Sequence, residues 1–147
     1  MKKFETIEQI LDFAIEREIE ANQFYLKLAD WVEKKEMRKV FTDFAEEELR
    51  HKQRLEKVKK GEFIMDFEEI GYLDIAETKE DIKPLRDMTY AEALIIAMRR
   101  EMRAFRLYKT LALAAKKTEL IDLFELLALQ EEAHKLKFEV EYELVTF

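Results

Sequence analysis

The chain has 147 residues, 48% hydrophobic and 40% charged, with two glycines, one proline and no cysteine. A domain of this length can bury a real core, and the scarcity of breakers points to helices rather than to a β-rich or disordered chain. Without cysteine there are no disulfides, zinc thiolates, iron–sulfur clusters or rubredoxin-like iron centres. A net charge of −7 argues against nucleic acid, whose phosphates want a basic face. No stretch approaches the run of about 20 apolar residues that spans a bilayer. The N-terminus MKKFETIEQI lacks the apolar core of a secretion signal, so the expected location is the cytoplasm.

In chain order, Thr6-x-x-Gln9 has the spacing of a capping box and opens a first helix over 7–34. KKEMR, Lys34 to Arg38, reads as a tight polar turn into a second helix over 37–60. Gly61, Gly71 and Pro84 all fall between Lys60 and Thr89, which marks 61–88 as a long connection. Its apolar residues Phe63, Ile64, Met65, Phe67, Ile70, Tyr72 and Leu73 are expected to pin it to a bundle surface. Thr89-x-x-Glu92 is a second capping box and opens a third helix over 90–116. KKTEL, Lys116 to Leu120, is the matching turn, and a fourth helix covers 119–144. The expected architecture is all-α: a single domain, 1–147, in which hairpins 6–60 and 89–145 are joined by the 61–88 crossover.

The two hairpins are copies. An offset of 83 pairs Thr6 with Thr89, Ala14 with Ala97, Glu18 with Glu101, Ala21 with Ala104, Tyr25 with Tyr108, Phe41 with Phe124, Ala45 with Ala128, Glu48 with Glu131 and His51 with His134, without a gap. On the first helix, positions 7, 11, 14, 18, 21, 25, 28 and 32 form an apolar seam interrupted only by Glu18. The third helix repeats this around Glu101. On the second, Phe41, Phe44, Glu48, His51, Leu55 and Val58 share a face, as do Phe124, Leu127, Glu131, His134 and Phe138 on the fourth.

Four glutamates and both histidines of the chain are therefore expected to project inward at mid-height. Isolated buried carboxylates are costly, and two divalent cations would neutralise four of them while imidazoles fill the remaining coordination positions. One Glu-x-x-His in so glutamate-rich a chain means little. Two of them, with two seam glutamates at the same spacing of 30 in both halves, form the pattern of dinuclear carboxylate bundles. Oxygen-rich ligation with two imidazoles suits iron or manganese, and zinc could also bind. Tyr25 and Tyr108, seven residues beyond the seam glutamates, are either core tyrosines or hydrogen-bond partners of the ligand carboxylates.

The stretches EIEANQFY (18–25), AEEELRH (45–51), EMRAFRLY (101–108) and ALQEEAH (128–134) resemble the ferritin-like superfamily, and within it the rubrerythrin-like proteins. The resemblance covers both hairpins. It implies a ferritin-like bundle in which Glu18, Glu48, His51, Glu101, Glu131 and His134 are catalytic ligands of two iron ions, with Glu48 and Glu131 bridging. It also implies reduction of hydrogen peroxide or dioxygen with electrons from an external donor such as rubredoxin. There are departures. The chain lacks the cysteines of a rubredoxin domain. Rubrerythrins carry an extra glutamate where this chain has Ala104, so a symmetric four-glutamate, two-histidine site is expected. Bacterioferritin shares that site, but its haem-binding methionine is Leu49 here, and its fifth helix has no counterpart after Phe147. Ferroxidase-type iron handling and a metal-stabilised interaction module are the alternative functions.

Under the same offset Asp30 becomes Leu113, Arg38 becomes Ile121, Asp43 becomes Leu126 and Glu46 becomes Leu129. A helix apolar beyond its core stripe is usually covered. A homodimer through the third and fourth helices is expected, with the crossover as the competing cover.

Overall fold

A computed structural model of the chain describes residues 2–4, 7–61, 73–75 and 87–147. Four long helices dominate it: α1 (Ile7–Trp31), α2 (Lys35–Lys59), α3 (Tyr90–Ala114) and α4 (Thr118–Thr146). The offset of 83 holds in three dimensions, because α1 and α3 are both 25 residues long and both second helices begin four residues after the first ends. The expected α1 end at 34 and α3 end at 116 are each too late. Lys34 and Lys117 adopt extended backbone and serve as N-caps of the next helices. Arg38 Nε donates to the Val32 carbonyl at 2.8 Å, closing the first turn from the side-chain side. The second helices start slightly earlier than expected, and α4 runs two residues past 144.

The helix ends follow from local chemistry. Thr89 caps α3, its Oγ1 accepting from the Glu92 N–H at 3.1 Å. The equivalent Thr6 lies outside the described residues. Beyond α2, Gly61 sits at φ +80° and its N–H bonds to the Val58 carbonyl, a left-handed stop that suits glycine.

Two apolar clusters fill the bundle and give the helix directions. Ile10, Leu11 and Ala14 of α1 meet Leu55 and Val58 of α2, Leu107 and Leu111 of α3, and Leu120, Phe124 and Leu127 of α4. At the other end Tyr25 and Leu28 of α1 meet Phe41 and Ala45 of α2, Leu94 and Ala97 of α3, and Phe138 of α4. Each hairpin is thus antiparallel, and α3 runs against α1. The chain leaves α2 at one end of the bundle and enters α3 at the other, as a crossover requires. Each fully buried large side chain contributes about 1.5–3 kcal/mol.

The crossover residues Phe63, Ile64, Met65, Phe67, Ile70 and Tyr72, expected to pin it to the bundle, lie outside the described residues. One feature was not expected: β1 (Lys2–Phe4) pairs antiparallel with β2 (Leu73–Ile75), Lys2 opposite Ile75 and Phe4 opposite Leu73. Three-residue strands are too short to leave a readable alternation. No helix among the described residues is long and apolar enough to cross a membrane.

Candidate metal centre

Between the two clusters lies a layer of charge. Glu18, Glu48, His51, Glu101, Glu131 and His134 are all buried, none more than 3% exposed. The seam explains this: each occupies an inward position of an otherwise apolar stripe, so apolar neighbours above and below carry it into the core. All six expected residues come together, as two groups whose donor atoms lie within 4.8 Å of one another. Glu18, Glu48, His51 and Glu131 make one, and Glu48, Glu101, Glu131 and His134 the other. Glu48 and Glu131 belong to both, which is the position a bridging carboxylate needs.

Both imidazoles turn Nδ1 toward the centre. Nδ1 of His51 is 2.9 Å from Glu131 Oε1 and 3.6 Å from Glu18 Oε2, and that of His134 is 3.3 Å from Glu48 Oε1 and 3.5 Å from Glu101 Oε1. Their outer nitrogens have partners from the opposite hairpin. His51 Nε2 lies 2.7 Å from Gln130 Oε1, and His134 Nε2 lies 2.6 Å from Glu47 Oε2. Both partners are oxygen acceptors, so Nε2 carries a hydrogen, and on losing its second proton each ring would present the Nδ1 lone pair inward.

The tyrosines act across the hairpins. Tyr25 donates to Glu101 Oε1 and Tyr108 to Glu18 Oε1. Each hydroxyl fixes one carboxylate oxygen and leaves the other free. Burial, reinforced first by Glu101 for Tyr25 and by Glu18 for Tyr108, holds both phenols well above their ordinary range, so they remain donors. Ala21 is buried beside the layer and Ala104 is partly buried, leaving room. Arg17 and Arg100 stay off the seam, over the rings of Phe13 and Phe24.

The donor set fits a pair of cations. One atom of each of the six residues is buried without a hydrogen-bond partner: Glu18 Oε2, Glu48 Oε1, His51 Nδ1, Glu101 Oε2, Glu131 Oε1 and His134 Nδ1. Buried polar atoms are normally paired, and six orphans converging on one place mark missing partners. Protons compete for the same positions. Burial pushes the Glu48 and Glu131 carboxyls well above the usual range, and the neighbouring carboxylates add to the effect. Burial works against a charged His134, but Glu101, Glu47 and Glu48 outweigh it and raise its pKa to about 11. Burial likewise works against a charged His51, but Glu18, Gln130 and Glu101 together outweigh it and raise its pKa.

A groove of about 340 Å³ opens between α2 and α4 over this layer, lined by Phe44, Glu47, Gln130 and His134 among others. It offers a route for small species from solvent to the His134 side.

Residues 9–142 match the rubrerythrin family model. The chain belongs to the rubrerythrin family. A solved structure of a hypothetical protein from Pyrococcus furiosus has a TM-score of 0.75 and 26% identity, over 95% of this chain and 89% of that one. No curated protein matches. Family and geometry agree on a ferritin-like four-helix bundle with buried glutamate and histidine groups able to hold metal.

Sequence reasoning passed over Glu47 and Gln130. The signal was present, since they correspond under the offset of 83 and each directly precedes a seam glutamate. It also passed over Glu141, buried at the Lys34 turn, which accepts from Tyr90 Oη at 3.1 Å and from Lys34 Nζ at 3.0 Å.

Proposed function

We propose that this protein is a di-iron oxidoreductase that reduces hydrogen peroxide, or dioxygen, with electrons from an external donor protein such as rubredoxin. The observation that carries this reading is the set of six orphaned donor atoms, grouped so that Glu48 and Glu131 serve both positions. Glu18 and His51 complete one position, Glu101 and His134 the other. Bound iron would supply two one-electron reductants side by side, the number that cleaves the O–O bond of one hydrogen peroxide or takes one dioxygen to the peroxide level. The protein's own part is to hold the donors aimed, so that metal can take the place of the protons they carry. Tyr25 and Tyr108 orient Glu101 and Glu18, Glu47 and Gln130 orient the imidazoles, and the apolar clusters above and below keep bulk water out. These 147 residues contain no cysteine, so a thiolate-bound iron donor would lie outside them. A cytoplasmic setting suits such a partner. Manganese or zinc could occupy the same donors.

The test is a stopped-flow optical trace of anaerobically iron-loaded protein mixed with hydrogen peroxide and, separately, with dioxygen. Faster oxidation by peroxide is expected. Faster oxidation by dioxygen, with further iron taken up afterwards, would replace this reading with ferroxidase-type iron handling. A metal effect on melting alone, with no oxidation by either, would leave a metal-stabilised module.

The protein also works as a homodimer through α3 and α4. Leu113, Leu126 and Leu129 are 82%, 40% and 63% exposed, where the first hairpin carries Asp30, Asp43 and Glu46. Leu126→Asp/Leu129→Glu copies those charges. It should convert a dimer to a monomer by light scattering, and an unchanged mass would rule this face out.

A further inference from the structure

The donors of the two proposed metal positions are the same, but what supports them is not. His134 gives its outer N–H to the carboxylate of Glu47, at 2.6 Å. His51 gives its outer N–H to the amide oxygen of Gln130, at 2.7 Å. Glu47 and Gln130 are counterparts under the offset of 83, so the internal two-fold is broken at one atom pair: an anion on one side and a neutral amide on the other. A second break accompanies it. The Phe44 ring stacks on His134, centroids 3.9 Å apart and 22° between planes, whereas the counterpart of Phe44 under the offset is Leu127, which has no ring to stack.

We propose that Glu47 makes the two metal positions inequivalent, and that the position of His134 and Glu101 is the tighter one and fills first. This rests on the dinuclear reading above. A carboxylate accepting from the outer N–H draws the proton toward itself and leaves the imidazole more electron-rich at Nδ1, a stronger donor than one bonded to an amide. Such partners of ligand histidines alter metal affinity by about 10–100-fold. Phe44 adds a flat wall that keeps the ring aimed. The same groove that exposes Glu47 and Gln130 to solvent opens onto His134, so the first position filled is also the one nearer the entrance. Glu47 and Gln130 are positioning residues, and neither belongs to the two donor groups.

The test is a cobalt(II) titration of the metal-free full chain, followed by NMR of the hyperfine-shifted, exchangeable imidazole N–H signals. One signal is expected with the first equivalent and a second with the next. Glu47→Gln should move the first signal and weaken the first step by about 10–100-fold, bringing the two steps together. Gln130→Glu should move the second signal and tighten the second step, again narrowing the gap. The double exchange Glu47→Gln/Gln130→Glu keeps the net charge and should restore two separated steps with the order reversed. Two signals growing in together in the wild type would overturn the proposal. So would a first signal that responds to Gln130→Glu rather than to Glu47→Gln. Failure to bind two cobalt ions at all would overturn the dinuclear reading, and this inference with it.

Discussion

The two hairpins agree inside and disagree outside. Glu18, Tyr25, Glu48 and His51 have identical counterparts in Glu101, Tyr108, Glu131 and His134, and all eight are buried. Behind these, Glu47 corresponds to Gln130, Phe44 to Leu127, Leu55 to Phe138 and Val58 to Glu141. At the surface the first hairpin is charged where the second is apolar. On the proposed dinuclear reading, the donor set fixes the residues that form it, because their atoms must converge within a few ångströms. Residues behind the donors need only fill space or offer an acceptor, so they are free to differ and to make the two halves chemically distinct.

The largest way to break the comparison is to remove one end of the donor set. Glu18→Ala and Glu101→Ala each delete a proposed ligand belonging to one group only. Each variant should lose metal at its own position and retain it at the other, by metal analysis of the purified protein. Loss of both metals from either variant would mean that the positions do not fill separately.

Next is the pH dependence of the metal-free protein, which probes both halves together. His51 and His134 have folded pKa values above the unfolded value near 6.5, so their stabilisation is full below about pH 6.5 and is lost as pH rises toward about 11 for His134. Glu48 and Glu131 are also raised, so the folded state keeps protons that the unfolded chain releases above about pH 4.5. Both effects have one sign: metal-free stability should fall as pH rises from about 5 to about 9. Metal displaces these protons, so the gap in melting temperature between loaded and metal-free protein should widen over the same range. At free metal about 1,000-fold above Kd the added stability is about 4 kcal/mol. A gap that narrows with pH in calorimetry would refute the proton-for-metal exchange.

Smaller effects come from the tyrosines. Tyr25→Phe and Tyr108→Phe each leave a buried carboxylate oxygen without its donor, at a cost of about 1–3 kcal/mol. The two costs should be alike in denaturant unfolding, because this pair of contacts is repeated faithfully. A large difference would show that the inequivalence reaches the tyrosines. Smallest is Glu141→Val, which copies Val58 and removes the acceptor of Tyr90. It should cost about 1 kcal/mol, since the Lys34 pair is half in solvent and adds little.

How much of this could be read from the chain follows from the same division. The seam positions carry a strong period, so the four helices, their pairing and all six inward donors were legible. Helix ends were not, because the Lys-rich turns contain no glycine or proline and Lys34 and Lys117 serve as N-caps by backbone conformation alone. The β1–β2 pair was illegible at three residues a strand. Glu47, Gln130 and Glu141 were hidden for another reason. In a chain with 33 acidic residues, a glutamate beside the seam looks like any solvated glutamate until the opposite helix is in place.

The central claim is that six inward side chains form one dinuclear site. The most direct measurement is iron content by mass spectrometry, on anaerobically loaded wild type and on Glu48→Ala/Glu131→Ala. The account predicts a dinuclear complement, about two irons per chain, in the wild type and essentially none in the variant, which lacks both shared carboxylates. A wild type that binds no iron, or a variant that binds as much as the wild type, would contradict it.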